Sequence, residues 1–375
     1  MSIEIREVLT KRDLKRFIQF NLDLYKHNEF VAPPLIVDEM STLDREKNPA
    51  FDFCETAYFL AYKNGEIAGR IAAIVNYSAN KYNNTEYGRF GWIDFIDDPE
   101  VSAALLARAE AWVKAKGMKA IVGPMGITDL DCEGMLIEGF DRMSTMATIY
   151  NYPYYLQHLE NLGYSKEVDW NEYLIKVPDV VPERFTRGVE LIKKKYGLRS
   201  VELRSRRELV TKYGKKIFDL WNICYSELYG ASPLTQRQID HYIKIYLNFI
   251  CLDTLSLIVD NNDEVVGFGV SLPSLTKALR KANGRLFPFG FIHLLRALKK
   301  NDTVDLLIVG IHPEYQNKGA IALLFGDLIP KFVKRGFKQA ESNPELETNV
   351  KITAQWGSFE YENHKKRRAY IKALD

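Results

Sequence analysis

The alternation of apolar and polar positions marks a segment that occurs twice in the chain. Residues 59–69 and residues 257–267 are offset by 198 positions (257 − 59), and both show an apolar stretch, a turn rich in Asn with Gly or Asp, and a second stretch from Glu to Gly. Two apolar stretches around such a turn predict a β-hairpin. The two halves are therefore predicted to contain the same hairpin. The alternative is chance similarity, because such turns are common.

In the first half, the hairpin is followed by a pattern that predicts a strand, a helix and another strand. Residues 92–96 form the apolar strand. Asp97 or Asp98, with Pro99 next, is typical of a helix start, and Gly117 is typical of a helix end.

The second half repeats this order. Residues 304–311 are apolar apart from Asp305, which predicts a central strand covered on both faces. Apolar residues recur every four positions from Leu324 to Phe332, which predicts a helix that ends at Gly336.

Spacing and punctuation divide the chain into two units. From hairpin glycine to helix-end glycine there are 48 residues in the first half (117 − 69) and 69 in the second (336 − 267), so the second carries about 21 more (69 − 48), placed within residues 271–301. Two prolines in residues 177–182 are typical of a linker. The predicted fold is α/β, a mixed sheet flanked by helices, in tandem domains of residues 1–178 and 179–375.

Composition narrows the class of protein. Apolar residues make up 46% and charged residues 27% of the 375 residues, typical of a soluble globular protein. The net charge of +2 argues against a dedicated nucleic-acid binder. No secretory leader or apolar run long enough to span a membrane is present, so a cytoplasmic location is expected. The four cysteines are scattered singly, and no metal site is predicted.

Residues 312–321 predict an anion site. They follow the apolar strand and precede a helix, where backbone N–H groups and the positive end of the helix dipole converge. Gly319 would let the backbone approach a pyrophosphate closely, and Lys318 would add charge. The alternative is an ordinary helix start.

Residues 309–324, with the pattern Gln316-x-x-Gly319-Ala320, resemble motif A of the GNAT (N-acetyltransferase) superfamily, although Ile321 stands where that family usually has Gly or Ala. The resemblance covers the pattern of most of residues 250–375. It implies a tandem GNAT-like fold with acetyl-CoA or a longer acyl-CoA as co-substrate. By position, it implies that the cofactor-binding residues are Val309, Gly310, Ile311, Gln316, Asn317, Lys318, Gly319, Ala320, Ile321 and Asn349.

The chain differs from the family at the residue that acts as the general acid. Many members carry a tyrosine seven positions after the asparagine, but this chain has Trp356, for which core packing is the simpler interpretation. Tyr361 is the nearest replacement, unless the thiolate leaves unaided. Asp305 and His312 are candidate bases beside the cofactor strand; a surface ion pair and a turn are their structural alternatives.

The first unit has two carboxylates, Asp97 and Asp98, where the phosphate loop is expected, so it is predicted to have lost coenzyme A and to serve as scaffold or substrate wall. Its loop with Asp129, Asp131 and Glu133 is unusually acidic. These carboxylates fit an amine substrate, and solvated turn residues or helix caps are the alternative.

Residues 275–300 contain seven Lys or Arg and no acidic residue, interleaved with large apolar side chains. The segment fits peripheral contact with an anionic membrane or a long acyl chain, or else a helical lid with solvated lysines. A third interpretation, a nucleic-acid-binding regulator, has little support from one basic segment.

A looser resemblance is to the bacterial tandem acyltransferase-like proteins that include the bacterial ceramide synthases. It rests on the tandem architecture, residues 123–124, 138–141 and 364–370. The predicted function is an acyl-CoA-dependent N-acyltransferase acting on a small-molecule or lipid amine. The alternative is a catalytically inactive GNAT-fold binding or regulatory module, and the oligomeric state stays open.

Overall fold

A computed structural model describes residues 3–247, 250–349 and 355–374, and these residues form a mixed α/β fold, as the sequence predicts. The strands are, in chain order, β1 (Glu4–Glu7), β2 (Cys54–Lys63), β3 (Glu66–Asn76), β4 (Tyr87–Phe95), β5 (Ala120–Gly123), β6 (Met135–Glu138), β7 (Ser165–Lys176), β8 (Arg199–Ser200), β9 (Leu255–Val259), β10 (Val265–Pro273), β11 (Thr303–Ile311), β12 (Gln339–Ser342), β13 (Glu345–Leu346) and β14 (Tyr361–Ala373).

The helices lie between these strands and cover both faces of the sheet. In chain order they are α1 (Lys11–Leu24), α2 (Ile36–Thr42), α3 (Tyr77–Asn83), α4 (Pro99–Ala115), α5 (Tyr154–Asn161), α6 (Glu183–Tyr196), α7 (Arg206–Glu208), α8 (Gly214–Tyr225), α9 (Gln236–Tyr242), α10 (Thr276–Ala282), α11 (Gly290–Lys299), α12 (Pro313–Gln316) and α13 (Ala320–Arg335). Within the described ranges, none of them has the length and apolar composition needed to cross a bilayer.

The repeated hairpins are confirmed. β2 and β3 pair in antiparallel fashion around Asn64 and Gly65, both of which have positive φ, as a tight hairpin turn requires. β9 and β10 form the second hairpin. Gly69 on β3 pairs with Phe95 on β4, and Gly267 on β10 pairs with Ile311 on β11, so equivalent glycines occupy equivalent places.

Helix α4 begins as its sequence predicts. Pro99 is its first residue, and the side chain of Asp98 accepts a hydrogen bond from the N–H group of Glu100. Its buried face includes Val101 and Leu105, which pack on the sheet of the first half. The second half has α13 in the corresponding place, and a left-handed glycine ends it as predicted.

The strands form one continuous sheet in the order β1-β2-β3-β4-β5-β14-β7-β12-β11-β10-β9-β8, with β6 and β13 paired to β14 and β7 beside this path. The last strand of the chain, β14, lies between β5 and β7, and β7 lies between β14 and β12. The halves therefore share the middle of the sheet. The predicted boundary at residue 178 falls between β7 and α6, and the division into 1–178 and 179–375 stays a prediction.

Buried charges join the shared strands. The Nζ of Lys365 on β14 lies 2.7 Å from an oxygen of Glu172 on β7 and 2.6 Å from an oxygen of Glu341 on β12. Arg367 also bonds to Glu172, and His364 packs beside Glu341. Glu172, Glu341 and His364 are metal-binding residue types that lie close together, but these two carboxylates already hold protein cations. Breaking a buried ion pair of this kind costs several kcal/mol, about 3–5.

Candidate functional site

Strand β11 loses its neighbour halfway along. It pairs in parallel with β12 only from Thr303 to Leu306, while its other edge stays paired with β10 as far as Ile311. The pairing with β10 skips Leu307, which is therefore a bulge. Residues 306–309 are only partly buried, although the strand is central. The separation of β11 from β12 opens a cleft, called here the second-unit cleft.

Side chains replace the missing strand along this edge of β11. The Nδ2 of Asn343 donates to the carbonyl oxygen of Leu307 at 2.8 Å, and the Nε2 of Gln316 donates to that of Ile311 at 3.3 Å. Backbone groups in a protein interior need partners. Because flexible side chains provide them here, a ligand with amide groups can take their place without leaving the backbone unpaired.

Tyr225, the last residue of α8, occupies the middle of the edge. Its hydroxyl donates to the carbonyl oxygen of Val309 at 2.8 Å and lies 3.2 Å from the N–H group of the same residue. Its ring stacks on Trp221, with centroids 4.3 Å apart. Burial raises the pKa of Tyr225 well above its usual value, and Glu345 and Asp129 raise it further. The phenol therefore stays protonated and able to donate.

The predicted anion loop lies at the far end of β11. His312 caps the short helix α12, Gly319 has a φ of +78°, and α13 starts at Ala320 with no side-chain cap. Among the described residues, the N–H groups of Gly319, Ala320 and Ile321 have no hydrogen-bond acceptor, and they point out of the start of a 16-residue helix. This arrangement suits a bound anion.

Glycine is required at position 319. A Cβ atom there would lie 2.6 Å from the Cδ1 of Ile192 on α6, and the positive φ disfavours other residues. The Nζ of the neighbouring Lys318 lies 4.7 Å from the ring centre of Tyr315, so this cation is held at the loop. Residues 309–311 at the end of β11 are thus followed directly by residues 316–321 at the start of α13, as the cofactor prediction requires. Their role in binding stays a prediction.

A carboxylate that the sequence analysis did not single out lies at the cleft. Glu345 accepts hydrogen bonds from the Nε1 of Trp356 at 3.1 and 3.2 Å, and burial raises its pKa to about 7. Glu345 is also close enough to Tyr225 to raise the pKa of the phenol. A carboxylate with a pKa near neutrality is suited to accept a proton at physiological pH. Trp356 is 5% exposed and packs in the core, as expected.

The acidic loop of the first unit is not a solvated turn. Burial raises the pKa of Asp129 and of Asp131 to about 6 and that of Glu133 to about 8, although each side chain keeps some accessible surface. These carboxylates therefore form a desolvated cluster, called here the acidic recess. Glu39, whose pKa burial also raises, joins them from α2 and accepts a hydrogen bond from Trp92. Asp131 accepts a hydrogen bond from the N–H group of Thr128 at 2.9 Å, and the charge of Arg89 partly offsets the effect of burial on all three carboxyl groups. A cluster with more carboxylates than cations favours a cationic occupant.

The second half packs against the acidic loop. Asp131 raises the pKa of Tyr242 and of Tyr246, so its charge acts on both tyrosines. Leu130 packs into the core of the second half. Asp129 also raises the pKa of Tyr225, so the charge of the acidic recess acts on that phenol in the second-unit cleft.

The predicted catalytic candidates lie apart from one another. Asp305 is 1% exposed, inside the paired part of β11, where burial and Glu341 raise its pKa to about 7. His312 lies seven residues further along, about 23 Å at ~3.3 Å per residue, with its Nδ1 accepting from Glu314. Tyr361 is exposed at the start of β14. The structure does not bring these three into one site, and their catalytic roles stay predictions.

Asn349 lies in the turn that follows β13, where its N–H group donates to Leu346 at 2.9 Å. The helix predicted after it falls on residues 350–354, which lie outside the described residues. Tyr225 and Glu345 were missed because no motif surrounds them. One signal could have indicated Glu345: it lies three residues after the end of β12, beside Asn343, where the segment after the strand faces the second-unit cleft.

The corresponding cleft of the first unit is closed. The parallel pairing of β4 with β5 runs only from Tyr87 to Arg89. Beyond it, the chain after β5 stays close to β4, because the N–H group of Met125 donates to the carbonyl oxygen of Phe90 at 2.8 Å. A Cβ atom at Gly91 would lie 2.3 Å from the carbonyl oxygen of Met125. The backbone of the acidic loop thus fills the space between the strands.

No protein-family model matches the chain. Protein YghO of Escherichia coli (strain K12) is 30% identical to it over 377 residues, which cover 99% of this chain and 95% of that protein. A protein of Caulobacter vibrioides (strain NA1000 / CB15N) named bacterial ceramide synthase is 26% identical over 388 residues, covering 100% of this chain and 98% of that protein.

Among solved structures, a tandem GNAT protein from the clavulanic acid biosynthesis pathway superimposes with a TM-score of 0.56. It is 12% identical, and the match covers 100% of this chain and 99% of that one. At this identity the likeness shows the fold. It extends over both halves, so the tandem fold predicted from the repeat is confirmed.

Proposed function

The chain belongs to the family of the Escherichia coli protein YghO and has the tandem GNAT fold, and on this premise we propose that it is an N-acyltransferase that moves an acyl group from coenzyme A to an amine. The observation that carries the proposal is the unpaired edge of β11, which leads from the acidic recess to the uncapped start of α13. One ligand can lie along this line, with amides on the strand and a pyrophosphate at the helix.

The acyl-CoA is assigned to the second-unit cleft. Its pantetheine amides would replace the side-chain partners of Leu307 and Val309, and its pyrophosphate would accept from the N–H groups of residues 319–321. The Tyr225 phenol, protonated at neutral pH, would donate to the thioester carbonyl oxygen and so favour the charge that develops there.

The amine is assigned to the acidic recess. An ammonium group would be stabilised beside Asp129 and Asp131, whose pKa of about 6 leaves them charged at neutral pH, and its own charge would favour ionisation of Glu133. Reaction needs the neutral amine, so a carboxylate must take its proton. Glu345, with a pKa of about 7, is the assigned base.

The reaction then balances as an acyl transfer. The amine nitrogen forms a bond to the thioester carbonyl carbon, the carbon–sulfur bond breaks, and coenzyme A leaves as a thiolate. The ammonium proton passes through Glu345 to solvent, which gives the neutral amine and regenerates the carboxylate. The second proton, which the nitrogen releases as the amide forms, then moves to Glu345, and that carboxyl group or solvent protonates the sulfur. Held in adjoining spaces, donor and acceptor react without the entropy cost of meeting in solution.

The acceptor class we assign is a long-chain lipid amine of the sphingoid type, with a fatty acyl-CoA as donor. Support comes from the relative named bacterial ceramide synthase, which is similar over the whole chain, because a ceramide is the amide of a fatty acid with a sphingoid base. An acetyl group and a small amine are the competing pair for the test.

The test incubates the full chain with acetyl-CoA or palmitoyl-CoA and a panel of amines that includes sphingoid bases, and follows release of free thiol. Palmitoyl-CoA with a sphingoid base should give the fastest release and an amide product detectable by mass spectrometry. Turnover only with acetyl-CoA and a small amine would keep the acyltransferase and reject the lipid assignment. No thermal shift with any acyl-CoA would favour the inactive binding module instead.

A further inference from the structure

The extra residues that make the second half longer than the first form an apolar and basic surface. It consists of α10 and α11 with their connection, and four large apolar side chains on it face solvent: Phe287 is 77% exposed, Phe289 68%, Leu295 53% and Phe291 38%. The rings of Phe287 and Phe291 lie 5.8 Å apart, so they form one patch. Adjoining exposed aromatic side chains are costly in water and mark an interaction surface.

These exposed side chains are not needed to cover the hydrophobic core. The inner face of α11 is already packed, because Leu294 and Leu298 contact the apolar cluster around Leu275 and Leu279. The spacing of residues 291, 294, 295 and 298 puts all four on one side of the helix, and Phe291 and Leu295 stay exposed at the margin of the packed region. The exposed side chains are therefore open to solvent rather than enclosed in a pocket.

Cations surround the patch. Arg285, Arg296, Lys299 and Lys300 are exposed, and residues 275–300 contain no carboxylate. In the part of the chain that the structure describes, none of these four side chains has a carboxylate within ion-pair distance. Their charge is therefore available to an outside partner.

A basic pocket continues this surface onto the first half. A cavity of about 340 Å³ lies between α1 and α10, and Lys26, Lys277, Arg280 and Lys281 line it. Lys277 alone of these has a described carboxylate nearby, Asp302 at 3.8 Å. Converging ammonium and guanidinium groups beside polar amides suit a phosphate group.

We propose that residues 285–300, with the basic pocket beside them, dock the protein on an anionic lipid bilayer. The aromatic side chains enter the headgroup region, the cations contact anionic headgroups, and one lipid phosphate occupies the pocket. Nucleic acid is the less suitable partner, because three exposed phenylalanines, separated by one proline and one glycine, interrupt the basic residues, so these do not form a continuous stripe. This inference does not depend on the proposed catalytic function.

Vesicle flotation of the full chain tests the inference. The protein should float with phosphatidylcholine vesicles that contain phosphatidylglycerol, and float poorly with phosphatidylcholine alone or in high salt. Replacing Phe287 and Phe289 by Ser should reduce binding to both kinds of vesicle. Reversing Arg296, Lys299 and Lys300 to Glu should weaken binding to the anionic vesicles by roughly a hundredfold and affect neutral vesicles little.

A matched control lies on α6, where Leu191 is 70% exposed beside the exposed Lys194 and Lys195. The variant Leu191→Ser, Lys194→Glu, Lys195→Glu removes the same kinds of group and should float like the unmodified protein. Failure of the unmodified protein to bind anionic vesicles, or equal loss in the control, would overturn the proposal. Thermal melting checks that each variant is folded, and acyl-CoA binding, measured without vesicles, should be the same in all of them.

Discussion

In both units two parallel strands separate part of the way along, but the space between them is filled in the first unit and open in the second. In both, a parallel strand pair ends early and a bulge follows, near Trp92 on β4 and at Leu307 on β11. In the first unit the next loop returns its backbone onto β4, with Met125 bonded to Phe90. In the second unit, among the described residues, side chains bond to the edge of β11 beyond Leu306.

The helix starts differ in the same sense. The first turn of α4 is capped by Asp98, whose carboxylate also pairs with Lys63, so an anion would meet a negative group. The first turn of α13 has Gly319 and no side-chain cap. Under the proposed function, the unit whose loops leave backbone groups without partners binds the donor, and the closed unit contributes its filling loop as the wall of the acidic recess.

The largest effect should come from making the second helix start resemble the first. Gly319→Asp places a carboxylate at the start of α13, so acyl-CoA affinity should fall roughly a thousandfold, because like charges at short range repel strongly in a partly buried site. Calorimetry with acyl-CoA measures it. Gly319→Ala carries the same backbone strain without the charge and should bind better than the Asp variant. Removing the first unit's carboxylate, as Asp98→Asn, should leave affinity unchanged. Equal binding by both Gly319 variants would contradict the assignment.

A second prediction asks whether Glu345 is the base. Glu345→Gln should lower kcat by roughly a hundredfold, the scale of a lost general base. In the unmodified protein kcat should rise with pH through about 7, since the carboxyl must lose its proton to act, and in the variant this rise should vanish. Glu360→Gln, an exposed carboxylate at the start of the last strand, is the control. An unchanged pH profile in Glu345→Gln would assign the base elsewhere.

The third prediction concerns the wall that the first unit provides. Asp129→Asn or Asp131→Asn should raise KM for the amine about tenfold, since each removes a charged partner of the ammonium, while KM for acyl-CoA stays the same. Steady-state kinetics in both substrates separates the two. Asp97→Asn, largely exposed on the same unit, is the matched control. If KM for acyl-CoA rose instead, the recess would belong to the donor site.

The smallest expected effect concerns the strands that the units share. Burial lowers the pKa of His364, the positive charge of Lys365 lowers it further, and it falls to about 4. Between its ordinary value of about 6.5 and 4, the unfolded chain takes a proton that the folded protein refuses, so stability is lost as pH falls through this window. Melting temperatures should therefore fall less on acidification for His364→Gln than for the unmodified protein. Parallel curves would show that another group controls acid stability.

Much of this organisation is determined locally and could be predicted from the sequence. The turn of Asn64 and Gly65 requires a hairpin, Pro99 begins a helix, and the glycine at position 336 ends one, because each acts through its own backbone angles and those of its neighbours. The repeat of these signals gave the tandem fold, and the pattern around Gly319 gave the anion loop.

The site itself depends on contacts between distant parts of the chain. Tyr225 and Glu345 are separated by 120 residues (345 − 225), and they come close enough to interact only because α8 packs against β11 while β13 pairs with β7. From the sequence alone the acidic loop is compatible with a solvated turn, and only its burial in the folded chain raises the pKa of Glu133 to about 8. Likewise, no local pattern predicts that β14 lies between β5 and β7. Burial and strand exchange are long-range properties, so only the tertiary structure decides which carboxylates are desolvated and which strand edge stays open.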